Sequence, residues 1–155
     1  MEFDENLLKN PPYEYITTQQ RANEVCENEL KKADITLTTI DPVKHELLKG
    51  SANPAKYNAK EKLIDDIIDT TIPVIPRTFQ LTYQLIKAYG IDGTSVNITD
   101  LLLGATLMQY RQNIYLITRD TTDFIQRIFD LLFIVNAPHN KGIFTYGVYQ
   151  YRKAR

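Results

Sequence analysis

The chain has 155 residues, of which 43% are hydrophobic and 24% are charged, and its formal net charge is −1. These values are typical of one globular domain spanning residues 1–155, so they exclude a disordered chain and argue against a protein that coats nucleic acid with a broad basic surface. No apolar run approaches the roughly 20 residues that span a bilayer, and no secretory signal pattern opens the sequence, so we expect a cytoplasmic protein that does not enter the membrane.

Helices and short apolar strands alternate along the first half of the chain. Residues 17–34 are polar and strongly helix-forming with a narrow apolar stripe, and the β-branched run 35–40 predicts a strand. Asp41 and the proline after it supply an N-cap and a first helical residue for a short helix, which Gly50 closes. Residues 57–69 follow with a helical stripe of Leu and Ile, after a segment that we interpret as a loop.

An aromatic stripe marks the next predicted helix, from Pro76 to Gly90. A short apolar stretch precedes it, residues 72–75, which we interpret as a brief edge strand or a connector. The helical spacing of four large side chains predicts that they face the core: Phe79, Tyr83, Ile86 and Tyr89.

The last third of the chain continues the alternation. It predicts a helix over 100–111, a strand over 114–118, a short helix over 123–130, a strand over 132–135 and an alternating edge strand over 143–151. Such alternation is typical of helices packed on both faces of a sheet. We therefore expect an α/β fold, a three-layer α/β/α sandwich around a short, mostly parallel central sheet.

Acidic residues stand where predicted helices and strands meet. Asp100 lies in the first turn of a helix, where the backbone dipole favours negative charge, and Asp120 directly follows the strand 114–118. A single aspartate at such a position is most often a cap or turn residue, so the hypothesis of a metal site depends on the set. Because ligands collect at the ends of strands in open α/β sheets, we expect these carboxylates to converge on one crevice.

Two segments together resemble the C-terminal half of a PIN domain, a family of metal-dependent nucleases. They are I-T-D-L-L-L-G-A-T-L, which contains Asp100, and I-Y-L-I-T-R-D-T-T-D-F, which contains Asp120 and Asp123. Upstream, residues 39–50 run from a strand into a helix with an acid near a closing glycine, and this is similar to the second acidic motif of the family, with Glu46 as its acid.

The first acidic motif of the family has only a partial counterpart. PIN domains open with an apolar central strand that ends in Asp, any residue and Asn, and here Asp4-Glu5-Asn6 follows only three residues. Two interpretations stay open: Asp4 is the first ligand on an abbreviated strand, or the strand and its acid are missing and Asp4 is a surface residue.

The resemblance implies a metal-dependent ribonuclease that hydrolyses RNA. Carboxylates without His or Cys ligands suit Mg²⁺ or Mn²⁺. The implied ligands are four acids, with Asp123 as a further ligand or an outer group, and Thr118 and Arg119 would position a phosphate. The four acids are Asp4, Glu46, Asp100 and Asp120.

Two other functions remain open alongside the ribonuclease. One is a catalytically impaired PIN-like domain that binds RNA or a protein, and the other is an interaction module whose acids are structural. Many members of the family are toxins of toxin-antitoxin pairs, so the resemblance also implies an antitoxin as a partner. The alternating segment 143–151 predicts a sheet edge that is a template for pairing, and we expect a homodimer.

Overall fold

The computed structural model describes residues 36–140 and 142–152. The predicted helix over 17–34 and the candidate ligand Asp4 lie outside the described residues. The chain divides into two compact units: one contains the chain up to Pro73 together with Ala137–Ile143, and the other contains Val74–Asn136 and the chain from Phe144 onward.

The first unit contains a short parallel pair of strands connected by two helices. Strand β1 (Thr38–Ile40) is followed by helix α1 (Asp41–Lys49), helix α2 (Pro54–Ile67) and strand β2 (Thr70–Ile72). The strands pair in parallel, with Thr38 opposite Thr70. A parallel pair needs a crossover connection, and α1 and α2 supply it.

Side chains define where these elements begin. The backbone N–H of Leu37 donates to the Asp69 carboxylate at 2.8 Å, and this bond joins the ends of β1 and β2. Asn53 caps α2, because its side chain accepts from the N–H of Lys56 at 2.9 Å. Helix α2 therefore begins at Pro54, inside the stretch that the sequence had predicted to be a loop, and the missed signal is the pair of an Asn cap and a proline after it.

The second unit combines two helices with an antiparallel sheet. Its elements are α3 (Pro76–Tyr89), α4 (Ile98–Tyr110), β3 (Leu116–Thr118) and most of β4 (Phe129–His139) and β5 (Gly142–Tyr151). Short 3₁₀ turns follow both helices. The strands lie in the order β3-β5-β4.

Apolar side chains from both helices and the sheet form the core of this unit. The eight buried members are Leu85, Tyr89, Leu101, Leu107, Phe124, Ile128, Phe129 and Tyr149. At Gly104, α4 lies very close to side chains of α3 and β4. A Cβ there would lie 2.6 Å from the side chain of Leu85 and 3.0 Å from that of Phe129. A residue without a side chain thus lets α4 lie against α3 and β4.

The buried face of α3 differs from the predicted one. Thr78, Leu81, Thr82, Leu85 and Tyr89 are buried. Of the aromatic stripe only Tyr89 is in the core, whereas its three other members are exposed, at 45% for Phe79, 68% for Tyr83 and 47% for Ile86. Apolar residues occur on both sides of this helix, so its sequence pattern left the choice of face undetermined.

Two further predictions about the last third of the chain are wrong. Residues 123–130 do not form a helix: one turn closes where the carbonyl of Ile125 accepts from the N–H groups of Ile128 and Phe129, and β4 begins at Phe129. Strand β5 was expected at a sheet edge, but it lies between β3 and β4.

The prediction of a mixed α/β fold is confirmed at that coarse level. The described residues contain four α-helices, one parallel pair of strands and one antiparallel three-stranded sheet. A three-layer sandwich and a single domain stay predictions. Within the described part of the chain, no helix has both the length and the apolarity that crossing a membrane requires.

Candidate metal site

Asp100 lies in the first turn of α4, and the cap of that helix fixes its position. The side chain of Asn97 accepts from the backbone N–H of Asp100 at 2.9 Å. This bond satisfies one of the donors that a helix start leaves without a partner, and it sets the direction in which the Asp100 side chain leaves the helix. The side chain is half-buried at the positive end of the helix dipole.

Asp120 and Asp123 lie in a tight turn directly after β3. One carboxylate oxygen of Asp120 accepts from the backbone N–H groups of Thr122 at 3.1 Å and Asp123 at 3.0 Å. The N–H of Asp120 in turn donates to the hydroxyl of Thr118 at 3.0 Å. Asp side chains favour such turns because they replace backbone acceptors, and this turn brings two acids three positions apart to the same side.

The three aspartates form a compact cluster. Each of Asp100, Asp120 and Asp123 offers one carboxylate oxygen, these oxygens all lie within 4.8 Å of one another, and all three residues are half-buried. Two oxygens on opposite sides of a Mg²⁺ ion lie about 4.2 Å apart, because each is about 2.1 Å from the ion. The 4.8 Å limit on the three separations lies slightly above this largest ligand–ligand distance.

Mutual repulsion is visible in the ionisation of Asp123. Burial raises the pKa of the Asp123 carboxyl above its ordinary value, and the negative charge of Asp120 raises it further, while a hydrogen bond with Asp100 opposes the rise. A raised carboxyl pKa beside a second carboxylate is the expected response of like charges in a partly desolvated site. A divalent cation would compensate the same repulsion.

A buried tyrosine lies against the cluster. The hydroxyl of Tyr89 donates to the backbone carbonyl of Asp123. Burial raises the pKa of the Tyr89 phenol, and the charges of Asp123, Asp100 and Asp120 raise it further, so all three acids act on this one side chain. On the sheet, burial and then Asp120 raise the pKa of Tyr149.

An arginine links the end of α3 to the segment after the turn. The guanidinium of Arg127 donates to the carbonyls of Ala88 at 2.6 Å and Tyr89 at 3.1 Å, and to the carboxylate of Asp92 at 3.1 Å. Carbonyls at a helix end lack partners within the helix, and a cationic donor is favourable there. Arg127 therefore caps α3 from the chain segment that follows Asp123.

The other predicted site residues lie in different parts of the chain, and not all of them are near the cluster. Glu46 lies exposed on α1, in the first unit, and Asp4 is outside the described residues. Thr118 supports the turn with its hydroxyl. Arg119 is exposed, with its guanidinium carbon 3.6 Å from the centre of the Phe144 ring. This distance places the cation over the face of the ring, a favourable cation–π contact.

Two residues of this region were missed from the sequence. Tyr89 had been interpreted as one of four large core side chains of its helix, and its position directly before Gly90 was its only distinguishing local signal. Arg127 had been placed in a helix that does not form. Both act on residues more than 30 positions away, so no local pattern could have shown their roles.

Comparison of the chain with models of known protein families, with curated proteins and with solved structures finds no match. The candidate site therefore stands on its own geometry. Its donor set consists of three carboxylates, which fits a hard divalent cation that keeps part of its water shell.

Proposed function

We propose that the protein is a metal-dependent ribonuclease of PIN type, with a three-layer α/β/α fold and a Mg²⁺ or Mn²⁺ site. The observation that carries this proposal is the approach of three carboxylate oxygens, from Asp100, Asp120 and Asp123, to within 4.8 Å of one another. Two separate pieces of chain, the start of α4 and the turn after β3, gather these like charges although their repulsion opposes folding, so a cation is the simplest reason for the arrangement.

The chemistry that we infer is phosphodiester hydrolysis. A divalent ion held there would lower the pKa of a bound water and neutralise charge on a phosphate oxygen. In the reaction the water oxygen bonds to phosphorus, the ester P–O bond breaks, and the departing oxygen takes up a proton. The three aspartates would hold the ion, whose charge favours the ionised form of the Asp123 carboxyl.

Two further residues are proposed to hold the substrate. The Arg119 guanidinium, supported by the Phe144 ring, offers donors for a phosphate oxygen, and the Thr118 hydroxyl lies one residue before it. Glu46 and Asp4 remain proposed ligands from the resemblance. Single-stranded RNA is the proposed substrate.

The first experiment measures Mn²⁺ binding by calorimetry and cleavage of a fluorescently labelled single-stranded RNA for the wild type and for Asp100→Asn. Asparagine leaves the backbone bond to Asn97 intact, so the fold is expected to survive. We expect a loss of Mn²⁺ affinity and of cleavage by at least about 100-fold, because even residues outside the ligand shell are worth about 10- to 100-fold.

Asp65→Asn is the matched control, since Asp65 is an exposed acid of α2 in the first unit, and it should leave both readouts unchanged. Wild-type protein that binds Mn²⁺ without cleaving RNA would favour the impaired, RNA- or protein-binding alternative. Wild-type protein that does not bind Mn²⁺ at all would overturn the metal site.

A further inference from the structure

Tyr89 reaches the acidic site from the end of α3 through one hydrogen bond. Its side chain is 2% exposed, and its hydroxyl donates to the backbone carbonyl of Asp123, 34 residues away. The acceptor is the carbonyl and not the carboxylate. The bond therefore fixes the backbone of Asp123 without occupying the oxygens that would hold a cation.

Close packing and a hydrogen bond hold Tyr89 at the end of α3. Gly93 lies so close that a Cβ there would be 2.6 Å from the Cβ of Tyr89 and 3.1 Å from its Cγ. Arg127 binds the backbone carbonyl of Tyr89 and the carboxylate of Asp92. A donor residue held by its neighbours defines the position of its acceptor more closely than one with a mobile backbone.

The backbone of Asp123 is held at both of its polar groups. Its N–H donates to the Asp120 carboxylate at 3.0 Å, within the turn, and its carbonyl accepts from the Tyr89 hydroxyl. The second bond comes from a neutral, buried side chain, so it restrains the turn without adding charge beside the three carboxylates.

We propose that Tyr89 is a positioning residue of the acidic site, whose hydroxyl holds the Asp123 backbone so that its carboxylate stays beside Asp100 and Asp120 for a divalent cation. The inference rests on the proposed metal site. A purely structural Tyr89 would affect folding alone, whereas a positioning residue affects cation affinity, and acts only while the Asp123 carboxylate is present.

The test compares Tyr89→Phe with Thr106→Val, and Mn²⁺ alone is the probe. Phenylalanine keeps the buried ring and removes the hydroxyl. Thr106 is a buried residue of α4 whose hydroxyl donates to the carbonyl of Leu102 at 2.8 Å, so its loss is a matched deletion of one buried hydrogen bond. Calorimetry gives the Mn²⁺ dissociation constant, and thermal unfolding in chelator gives the stability of the metal-free protein.

We expect both variants to lower the unfolding midpoint, but only Tyr89→Phe to weaken Mn²⁺ binding, by about tenfold, as outer residues of metal sites do. A double-mutant cycle with Asp123→Asn separates the roles further: Tyr89→Phe should cost no additional affinity in that background.

Three results would count against the proposal. If the wild type binds Mn²⁺ and Tyr89→Phe binds it equally well, the positioning role is overturned while the metal site stands. If Thr106→Val, or Tyr89→Phe in the Asp123→Asn background, loses affinity to the same degree, the effect is general destabilisation. If the wild type binds no Mn²⁺, the proposed function fails and the inference fails with it.

Discussion

Asp123 bears a carboxyl group whose pKa is raised in the folded protein, first by burial and then by the charge of Asp120. The metal-free folded state therefore binds this proton more tightly than the unfolded chain does. The carboxyl opposes folding once it is ionised, because it then lies beside other carboxylates in a partly desolvated cluster.

The sign of the pH dependence follows from this difference. With the folded pKa above the unfolded value, the contribution of Asp123 to stability falls as pH rises from the ordinary carboxyl range, about pH 4, through the raised pKa. We expect Asp123→Asn to unfold at a higher temperature than the wild type at neutral pH in chelator, and the difference to disappear at low pH.

Thermal unfolding followed by circular dichroism across that pH range measures the effect. Asp65→Asn again serves as the control and should follow the wild type at every pH. A difference between Asp123→Asn and the wild type that grows toward low pH would contradict the assigned direction of the shift.

At the scale of elements, α3 shows how an apolar pattern can predict a helix correctly and its buried face incorrectly. The helix extends over Pro76–Tyr89, close to the predicted bounds, because proline starts it and Gly90, at a φ of 60°, ends it. Leu81 and Leu85 turn toward α4, and the aromatic residues Phe79 and Tyr83 face outward. Packing against α4, not the helix itself, selects the face.

This choice of face predicts a large loss of stability for one substitution in α3 and a small change for another two positions away. Leu85→Ala removes a side chain that is 1% exposed and should lower the free energy of unfolding by about 2–5 kcal/mol. Tyr83→Ala changes a side chain that is 68% exposed. It should therefore change that free energy by about 0.5 kcal/mol or less.

Urea denaturation of both variants and the wild type measures these changes. If Tyr83→Ala were as costly as Leu85→Ala, the aromatic stripe would be the buried face after all, as its spacing had predicted.

The segment after Asp123 shows that a local sequence pattern can also predict the wrong secondary structure. Phe124 and Ile128 are spaced as on a helix, and both are buried, yet the predicted helix over 123–130 does not form. The backbone N–H of Arg152 donates to the carbonyl of Ile128 at 3.0 Å, so the end of β5 holds this segment as the entry to a strand. The partner lies 24 positions away in the sequence, beyond the reach of a local pattern.

At the scale of the whole molecule, cation binding is expected to stabilise the fold. A ligand that binds only the folded state adds about 2.7 kcal/mol when its free concentration is 100 times its dissociation constant. We expect Mn²⁺ to raise the unfolding midpoint of the wild type, excess chelator to reverse the increase, and Asp100→Asn to show neither effect. Differential scanning calorimetry measures the unfolding midpoint of each variant with Mn²⁺ and with chelator.

Asp65→Asn should respond to Mn²⁺ as the wild type does. An equal increase in Asp100→Asn would mean that Mn²⁺ stabilises the protein through another group. The Asp100, Asp120 and Asp123 cluster would then no longer explain the effect.

The sequence by itself determined the structural features that depend on residues close together in the chain. It placed α3, located α4 to within two residues, and identified Asp100 as an acid at the start of a helix and Asp120 as an acid directly after a strand, whereas Asp123 was expected to begin a helix that does not form. It also indicated that their carboxylates converge. Helix caps, proline, glycine and the Asp120 turn act within a few residues, so their effects are written in the local sequence.

Tertiary structure alone decided what depends on distant partners. The order β3-β5-β4, the outward face of α3 and the bond from Tyr89 to Asp123 each join residues far apart in the chain. Burial and hydrogen bonding between such residues are settled by how the whole unit packs, since many pairings satisfy the same local pattern and only one of them fills the core.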